Sequence, residues 1–301
     1  MTTGAERDPS ERALVLGGGG SAGNAWLIGV LAGLADAGVP ATEADVVVGT
    51  SAGATAAAQV CGTSATRLLA GILDAPAPLR AGPARSAGGS AGTAPPVDHQ
   101  ERTGRIIAAA QDPADMRRRL GAAALELEAG SAGSWSARWR ATVAARLPGE
   151  SWPDRTLLVT AVDARTGEPV VFDRHCGVDL VDAVAASTSS GLPYAIGDGR
   201  YLDGGYRCNE NADLATGSGR VLVLSPLGGR TRHPLEWGTD LAAQVEGLRA
   251  RGSRVETVLP DADSLAAFGT NLMDPSTRAP AARAGYEQGR SRAELLSAFW
   301  R

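Results

Sequence analysis

Ala44-Asp45-Val46-Val47-Val48-Gly49-Thr50-Ser51-Ala52-Gly53 is the stretch that decides the fold. Val46 to Val48 form a short β-branched run, which predicts a buried strand. From Ala54 to Val60 the chain is alanine-rich, as a helix packed on a sheet is. Between them, Gly49-Thr50-Ser51-Ala52-Gly53 fits G-x-S-x-G at a strand-to-helix junction. In such a nucleophile elbow the glycines Gly49 and Gly53 relieve clashes in a sharp turn, and the serine hydroxyl projects above the sheet edge. The helix that follows aims its N-terminal N–H groups at developing negative charge. The pentapeptide alone says little in a chain with 39 glycines; its place between strand and helix makes Ser51 the candidate nucleophile.

Upstream, Ala13-Leu14-Val15-Leu16 reads as a second buried strand, running into Gly17-Gly18-Gly19-Gly20-Ser21-Ala22-Gly23 and then a helix from Ala25 to Ala37. Strand, glycine loop, helix, strand, elbow and helix make a parallel α/β opening. Downstream, residues 98–147 are helical in character, and Trp135 and Trp139 share one helix face as expected core contacts. Thr156 to Val162 is a strand that turns through Thr166-Gly167 and returns over Pro169 to Phe172. A helix from Leu180 to Ser187 leads to turn-rich Ile196 to Gly205, and Val221 to Ser225 is the last clear buried strand. From Leu235 onward the chain reads as mostly helical. Residues 75–97 are almost wholly Ala, Pro, Gly, Ser and Arg, a composition that buries little; they are expected to be a flexible lid or a plain insertion within one domain spanning 1–301.

Hydrophobic residues make up 44% and aromatics 4%, so the core is built from Val, Leu, Ile and Ala. Lys+Arg 29 against Asp+Glu 33 gives a net charge of −4, which supports neither nucleic acid nor an anionic membrane as main partner. Transient membrane contact stays open, and oligomeric state is not legible. Cys61, Cys176 and Cys208 fit neither a disulfide framework nor a zinc site. A polar leader and the absence of any stretch of ~18 apolar residues give a cytoplasmic expectation.

A serine hydroxyl needs a base. His99, His175 and His233 all sit in polar or loop settings that suit surface histidines. The alternative is a carboxylate, which works as a base when partly desolvated. Asp203 of Asp203-Gly204-Gly205 is one candidate; Asp198 is the rival, although Gly197-Asp198-Gly199-Arg200 reads more simply as a hairpin turn. The glycine loop has two readings as well. Gly18 to Gly23 fits G-x-G-x-x-G, as in a nucleotide-binding module, but no P-loop Lys-Ser/Thr follows. The same backbone N–H groups serve equally as an oxyanion hole.

The glycine loop with its helix through Gly29-Val30-Leu31, the elbow at Ser51, and Asp203-Gly204-Gly205 occur in that order. So placed, they resemble the patatin-like phospholipases, lipid acyl hydrolases with a Ser–Asp dyad. Thr160-Ala161-Val162-Asp163 with Thr166-Gly167-Glu168, and Ala185-Ala186-Ser187 with Pro193, agree, so the resemblance runs from about residue 13 to about 225. It implies a three-layer α/β/α fold with a mainly parallel central sheet. It also implies Ser51 as nucleophile, Asp203 as base, Gly18, Gly19 and Gly20 as oxyanion loop, an acyl-ester or lipid substrate, and no metal or organic cofactor. An acyltransferase or thioesterase would use the same dyad. One departure bears on substrate: the family loop carries a basic residue just before its last glycine, and here that position is Ala22.

Overall fold

In β1 (Arg12–Leu16) and β2 (Val46–Gly49), successive side chains are buried on both faces, which is why these strands read as continuous apolar runs rather than alternating ones. The computed structural model describes residues 11–75, 99–130 and 135–300. Beyond Ala75, the segment expected as a lid lies outside the described residues.

After β1 come α1 (Gly20–Asp36), β2, α2 (Ala52–Gly62), α3 (Ala65–Asp74), α4 (His99–Ala109), α5 (Pro113–Ala129) and α6 (Trp135–Ala144). The chain continues through β3 (Thr156–Asp163), β4 (Pro169–Phe172), α7 (Leu180–Ser187), β5 (Tyr194–Ile196), β6 (Gly199–Asp203) and β7 (Arg220–Leu224). It ends with α8 (Leu241–Ala250), β8 (Arg254–Val258), α9 (Ala262–Phe268) and α10 (Arg278–Trp300). The described strands form an eight-stranded sheet of order β5-β6-β3-β2-β1-β7-β8, with β4 paired to β3. The run from β3 to β8 is parallel, while β4, β5 and β6 pair antiparallel. Strand β8 is an addition to the reading of a helical C-terminal quarter. It is short and carries Arg254 and Glu256, so its apolar pattern is weak, and it gains order by pairing along β7.

The sheet separates two sets of helices, giving the expected three layers. Leu14, Leu16, Val47, Val159 and Leu222 face a core with residues of α1, α2, α7 and α10. Their strand neighbours Ala13, Val15, Val48 and Val223 face Leu241, Val245 and Leu248 of α8. Beyond β3, Val162 and Leu202 meet Met116, Leu120 and Ala124 of α5. Helix α10 lies backbone-to-backbone on α1: a Cβ at Gly29 or Gly33 would strike the backbone at Ala282 or Tyr286, and one at Gly285 or Gly289 the carbonyls of Trp26 or Val30. The end of the chain is thereby pinned to the helix that starts at the glycine loop.

Candidate active site

The register of β3 explains why residues 152 positions apart meet. Val159 pairs with both Gly49 of β2 and Phe172 of β4, so β2 and β4 occupy opposite edges of β3. Ala161 and Val162 pair with both β4 and β6, so β6 shares the edge used by β2. The two strands therefore approach end to end along that edge. Parallel β2 stops opposite Val159, and antiparallel β6 stops opposite Ala161, with Thr160 between. Ser51 leaves the end of one strand and Asp203 is the end of the other.

Ser51 Oγ donates to Asp203 Oδ2 at 2.7 Å. Ser51 has φ 54° and ψ −119°, a conformation that L-residues rarely adopt and that marks the elbow as strained. The turn holds because it is wedged: a Cβ on Gly49 would stand 2.6 Å from Ala54 Cα, and one on Gly53 would overlap the carbonyl of Leu16. Ser51 N–H donates to Ser187 Oγ at 3.0 Å, which ties the elbow to the end of α7. Asp203 is 9% exposed, and its Oδ1 accepts from the Gly205 N–H at 2.8 Å. Burial pushes its carboxyl up to about 6, against the pull of the Ser51 and Gly205 hydrogen bonds toward the ionised form. Asp198 stands in the Gly197-Asp198 turn of the β5–β6 hairpin, and that turn has Gly197 at φ 55°.

A buried polar cluster fills the gap between the strand ends. Thr160 Oγ1 donates to Thr50 Oγ1 at 3.0 Å, and Asn211 Nδ2 reaches Thr50 Oγ1 at 3.0 Å and the Cys208 carbonyl at 2.8 Å. Asn211 and Thr50 are fully buried and Thr160 nearly so. Thr50 and Thr160 fall in stretches quoted from the sequence, but nothing there pairs them with each other or with Asn211, because they meet only across the fold. Ser187 is also buried, although its stretch was among those noted for the resemblance.

The glycine loop lies against the elbow, with the Cβ position of Gly18 3.5 Å from Ser51 Cβ. Gly18 N–H is donated to the Asn209 carbonyl at 2.9 Å, so this glycine differs from the expectation of a free donor. Gly17 N–H is likewise bound, to Leu224 O at 3.0 Å. Among the described residues, Gly19, Gly20 and Ala52 have no such backbone bond; Gly20 and Ala52 begin α1 and α2, where helix N–H groups have no intrahelical partner. Both helix N-termini thus converge beside Ser51, at the C-terminal ends of parallel strands, where α/β sheets bind ligands.

Ser51 and Asp203 open onto a cleft of about 450 Å³. Its walls include Ser21, Thr55, Trp139 and Thr188, together with Arg146, Met273 and Arg278. Trp139, expected in the core, stacks on Trp135 at 6.1 Å but also faces this cleft. Met273 and Arg278 come from the C-terminal quarter, in which no site was read; Ala22 N–H donates to the Leu272 carbonyl at 2.9 Å and docks that segment over the loop. His99 meets Tyr206 at 3.2 Å and His233 meets Thr239 at 2.9 Å, and no histidine is among the described residues that line the cleft. Among the described residues, no group of three or more His, Cys, Asp or Glu could hold a metal ion, and no helix is long and apolar enough to cross a membrane.

The chain is similar in backbone to VipD from Legionella pneumophila, with TM-score 0.44 and 15% identity over 97% of this chain and 68% of that one. It is also similar to the type III effector protein ExoU, with TM-score 0.38 and 17% identity over 97% of this chain and 54% of that one. The chain spans about half the length of that effector. No family model and no curated protein matches the sequence.

Proposed function

We propose that the chain is a serine acyl hydrolase of lipid or other carboxylic esters, with Ser51 as nucleophile and Asp203 as base. The observation that carries this reading is the 2.7 Å hydrogen bond from Ser51 Oγ to a buried carboxylate, at a strained elbow beside two helix N-termini. The ordered glycine loop, elbow and Asp-Gly-Gly, which resemble the patatin-like phospholipases, support it.

In this reading the Ser51 proton passes to Asp203 Oδ2 as Oγ bonds to the ester carbonyl carbon. The carbonyl oxygen becomes an oxyanion, stabilised by N–H groups of Gly19, Gly20 and Ala52; one such donor is typically worth roughly 3 kcal/mol. Collapse breaks the C–O bond to the alcohol, which takes the proton back from Asp203 and leaves an acyl-enzyme. Water then gives a proton to Asp203 and attacks the acyl carbon. Collapse of the second tetrahedral intermediate returns that proton to Ser51 Oγ and frees the acid. A carboxylate raised to about 6 is still ionised at neutral pH, yet is a better base than an ordinary aspartate.

A fluorophosphonate probe is expected to label the native chain at Ser51 and to leave Ser51→Ala unlabelled. Hydrolysis of a p-nitrophenyl acyl ester should fall at least ~10³-fold in both Ser51→Ala and Asp203→Asn, with circular dichroism unchanged. Full activity in either folded variant would sink the proposal.

A further inference from the structure

Away from the cleft at Ser51, a cavity of about 360 Å³ lies against α8. Three arginines reach its walls from separate parts of the chain: Arg117 from α5, Arg207 from the turn after β6, and Arg251 from the end of α8. Asp213 is the one carboxylate among the described residues that line it. In a chain of net charge −4, this local excess of positive charge runs against the average. Among the described residues the cavity shares no lining side chain with the cleft, and its volume suits a small molecule.

Asp213 is already engaged. Arg207 grips it with Nη1 at 2.9 Å and Nη2 at 2.5 Å, and the same Nη1 donates to Asn211 Oδ1 at 2.6 Å. Arg117 and Arg251 form no ion pair among the described residues. Arg117 is half-buried, and its Nε donates to the Gly167 carbonyl at 2.7 Å. Arg251 Nη1 donates to the Gly247 carbonyl at 2.8 Å. These bonds to neutral carbonyls fix both side chains and leave further N–H groups on each. Burial holds Arg117 below the ordinary arginine range against the pull of Glu168, and the charge of Arg207 adds to the effect. His233, bonded to Thr239 on the cavity wall, reports the same field: burial brings it down to about 4, and Arg117 and Arg232 push it in the same direction. A half-buried guanidinium without a counterion is costly to keep, and an anion in the cavity would supply the missing charge.

We propose that Arg117, Arg207 and Arg251 form a binding site for a small, soluble, multivalent oxyanion, a carboxylate or phosphate compound, distinct from the cleft at Ser51. Guanidinium forks donate in pairs to the oxygens of either group, and arginine keeps its charge when partly desolvated. The site stands independently of the chemistry proposed for Ser51 and Asp203. It is nonetheless tied to the seam between β2 and β6. Arg207 N–H donates to the Gly204 carbonyl at 3.0 Å, its guanidinium holds Asn211, and Asn211 holds Thr50, the residue before Ser51. Gln244, also on the cavity wall, accepts from the Ala212 N–H at 2.7 Å. An anion bound here braces the segment from Gly204 to Asp213 and stabilises the fold by mass action.

Calorimetry at low salt with citrate and with pyrophosphate reads the two kinds of oxyanion separately. Submillimolar affinity for at least one of them is expected in the native chain. Arg117→Gln and Arg251→Gln should each weaken that affinity at least tenfold, with partial recovery in Arg117→Lys. Arg278→Gln, which alters only the cleft, should bind as the native chain does. With the anion present, and ionic strength matched by sodium chloride, Tm should rise in the native chain and stay unchanged in Arg117→Gln. Failure of the folded native chain to bind either anion would overturn the site, as would undiminished affinity in both glutamine variants with Tm preserved. Loss of binding in Arg278→Gln, with Arg117→Gln unaffected, would place the anion in the cleft and equally refute the proposal.

Discussion

Strands β2 and β6 deliver their residues to the same point by opposite means. Ser51 is half-buried and strained in its backbone, at φ 54°. Asp203 has an unstrained backbone, at φ −48° and ψ 131°, but is buried as an acid whose carboxyl is raised to about 6. One residue stores its cost in torsion, and the other stores it in desolvation. The difference follows from the chain path: the elbow must reverse direction within Gly49 to Gly53, whereas β6 simply ends in the sheet. The geometry of this site therefore opposes stability through two separable physical terms.

The comparison breaks most severely at the wedge that enforces the elbow. Gly53→Ala would drive a methyl group into the Leu16 carbonyl, a backbone atom that cannot step aside. A destabilisation of about 3 kcal/mol is expected in urea titration, together with loss of Ser51 labelling. Next comes the seam between the strands. Thr160→Val removes the hydroxyl that donates to Thr50 and accepts from Asn211, leaving buried polar atoms short of partners. It should cost about 2 kcal/mol, and a wild-type denaturation midpoint would contradict the role given to the seam.

The smallest effects separate torsion from desolvation. Ser51→Gly relieves the strained backbone but gives glycine more freedom when unfolded, for a net gain of about 1 kcal/mol at every pH. Asp203→Asn should behave differently. The Asp203 carboxyl is raised from 3.8 to about 6 on folding, so its stabilising contribution is complete below about pH 4 and is lost as pH rises through about 6. At pH 8 the asparagine variant should melt a few degrees above the native chain, and that gain should disappear near pH 4. If Asp203 is the base we propose, the same titration should govern activity: kcat/KM of the native chain should fall about tenfold per unit below pH 6, where Asp203 is protonated and cannot take the Ser51 proton. A gain in Tm independent of pH would remove desolvation as the distinguishing term.

The parts of the site that could be read from sequence are those built from local geometry. Gly49 to Gly53 declares a tight turn because only small residues fit there, and the apolar run before it declares a buried parallel strand. Asp203 was one candidate because of its two glycines, with Asp198 open as its rival until the family resemblance favoured it; in the structure Gly204 has no room for a side chain, since a Cβ there would overlap Thr160. Trp139 packs against the core as read, and its spacing from Trp135 could not report that it also faces the cleft. Gly18 was read as a donor because the glycine run does not reveal which N–H groups the fold consumes; Asn209, far along the chain, consumes this one. Strand β8 was missed because an edge strand needs only a neighbour to pair with, not an apolar pattern.

Sequence alone determined the parallel α/β opening and Ser51 as candidate, since short-range sterics and apolar periodicity suffice for both; the three layers and the choice of Asp203 over Asp198 were implied only by the resemblance to the patatin-like phospholipases. Tertiary structure alone decided that β2 and β6 meet end to end on one edge of β3, because register is a property of paired strands and not of either strand. It also decided what faces the cleft. Arg146 and Arg278 stand 132 positions apart in the chain, in segments with no motif, and only the packing of α10 on α1 and the Asn24–Gln59 hydrogen bond bring them to Ser51.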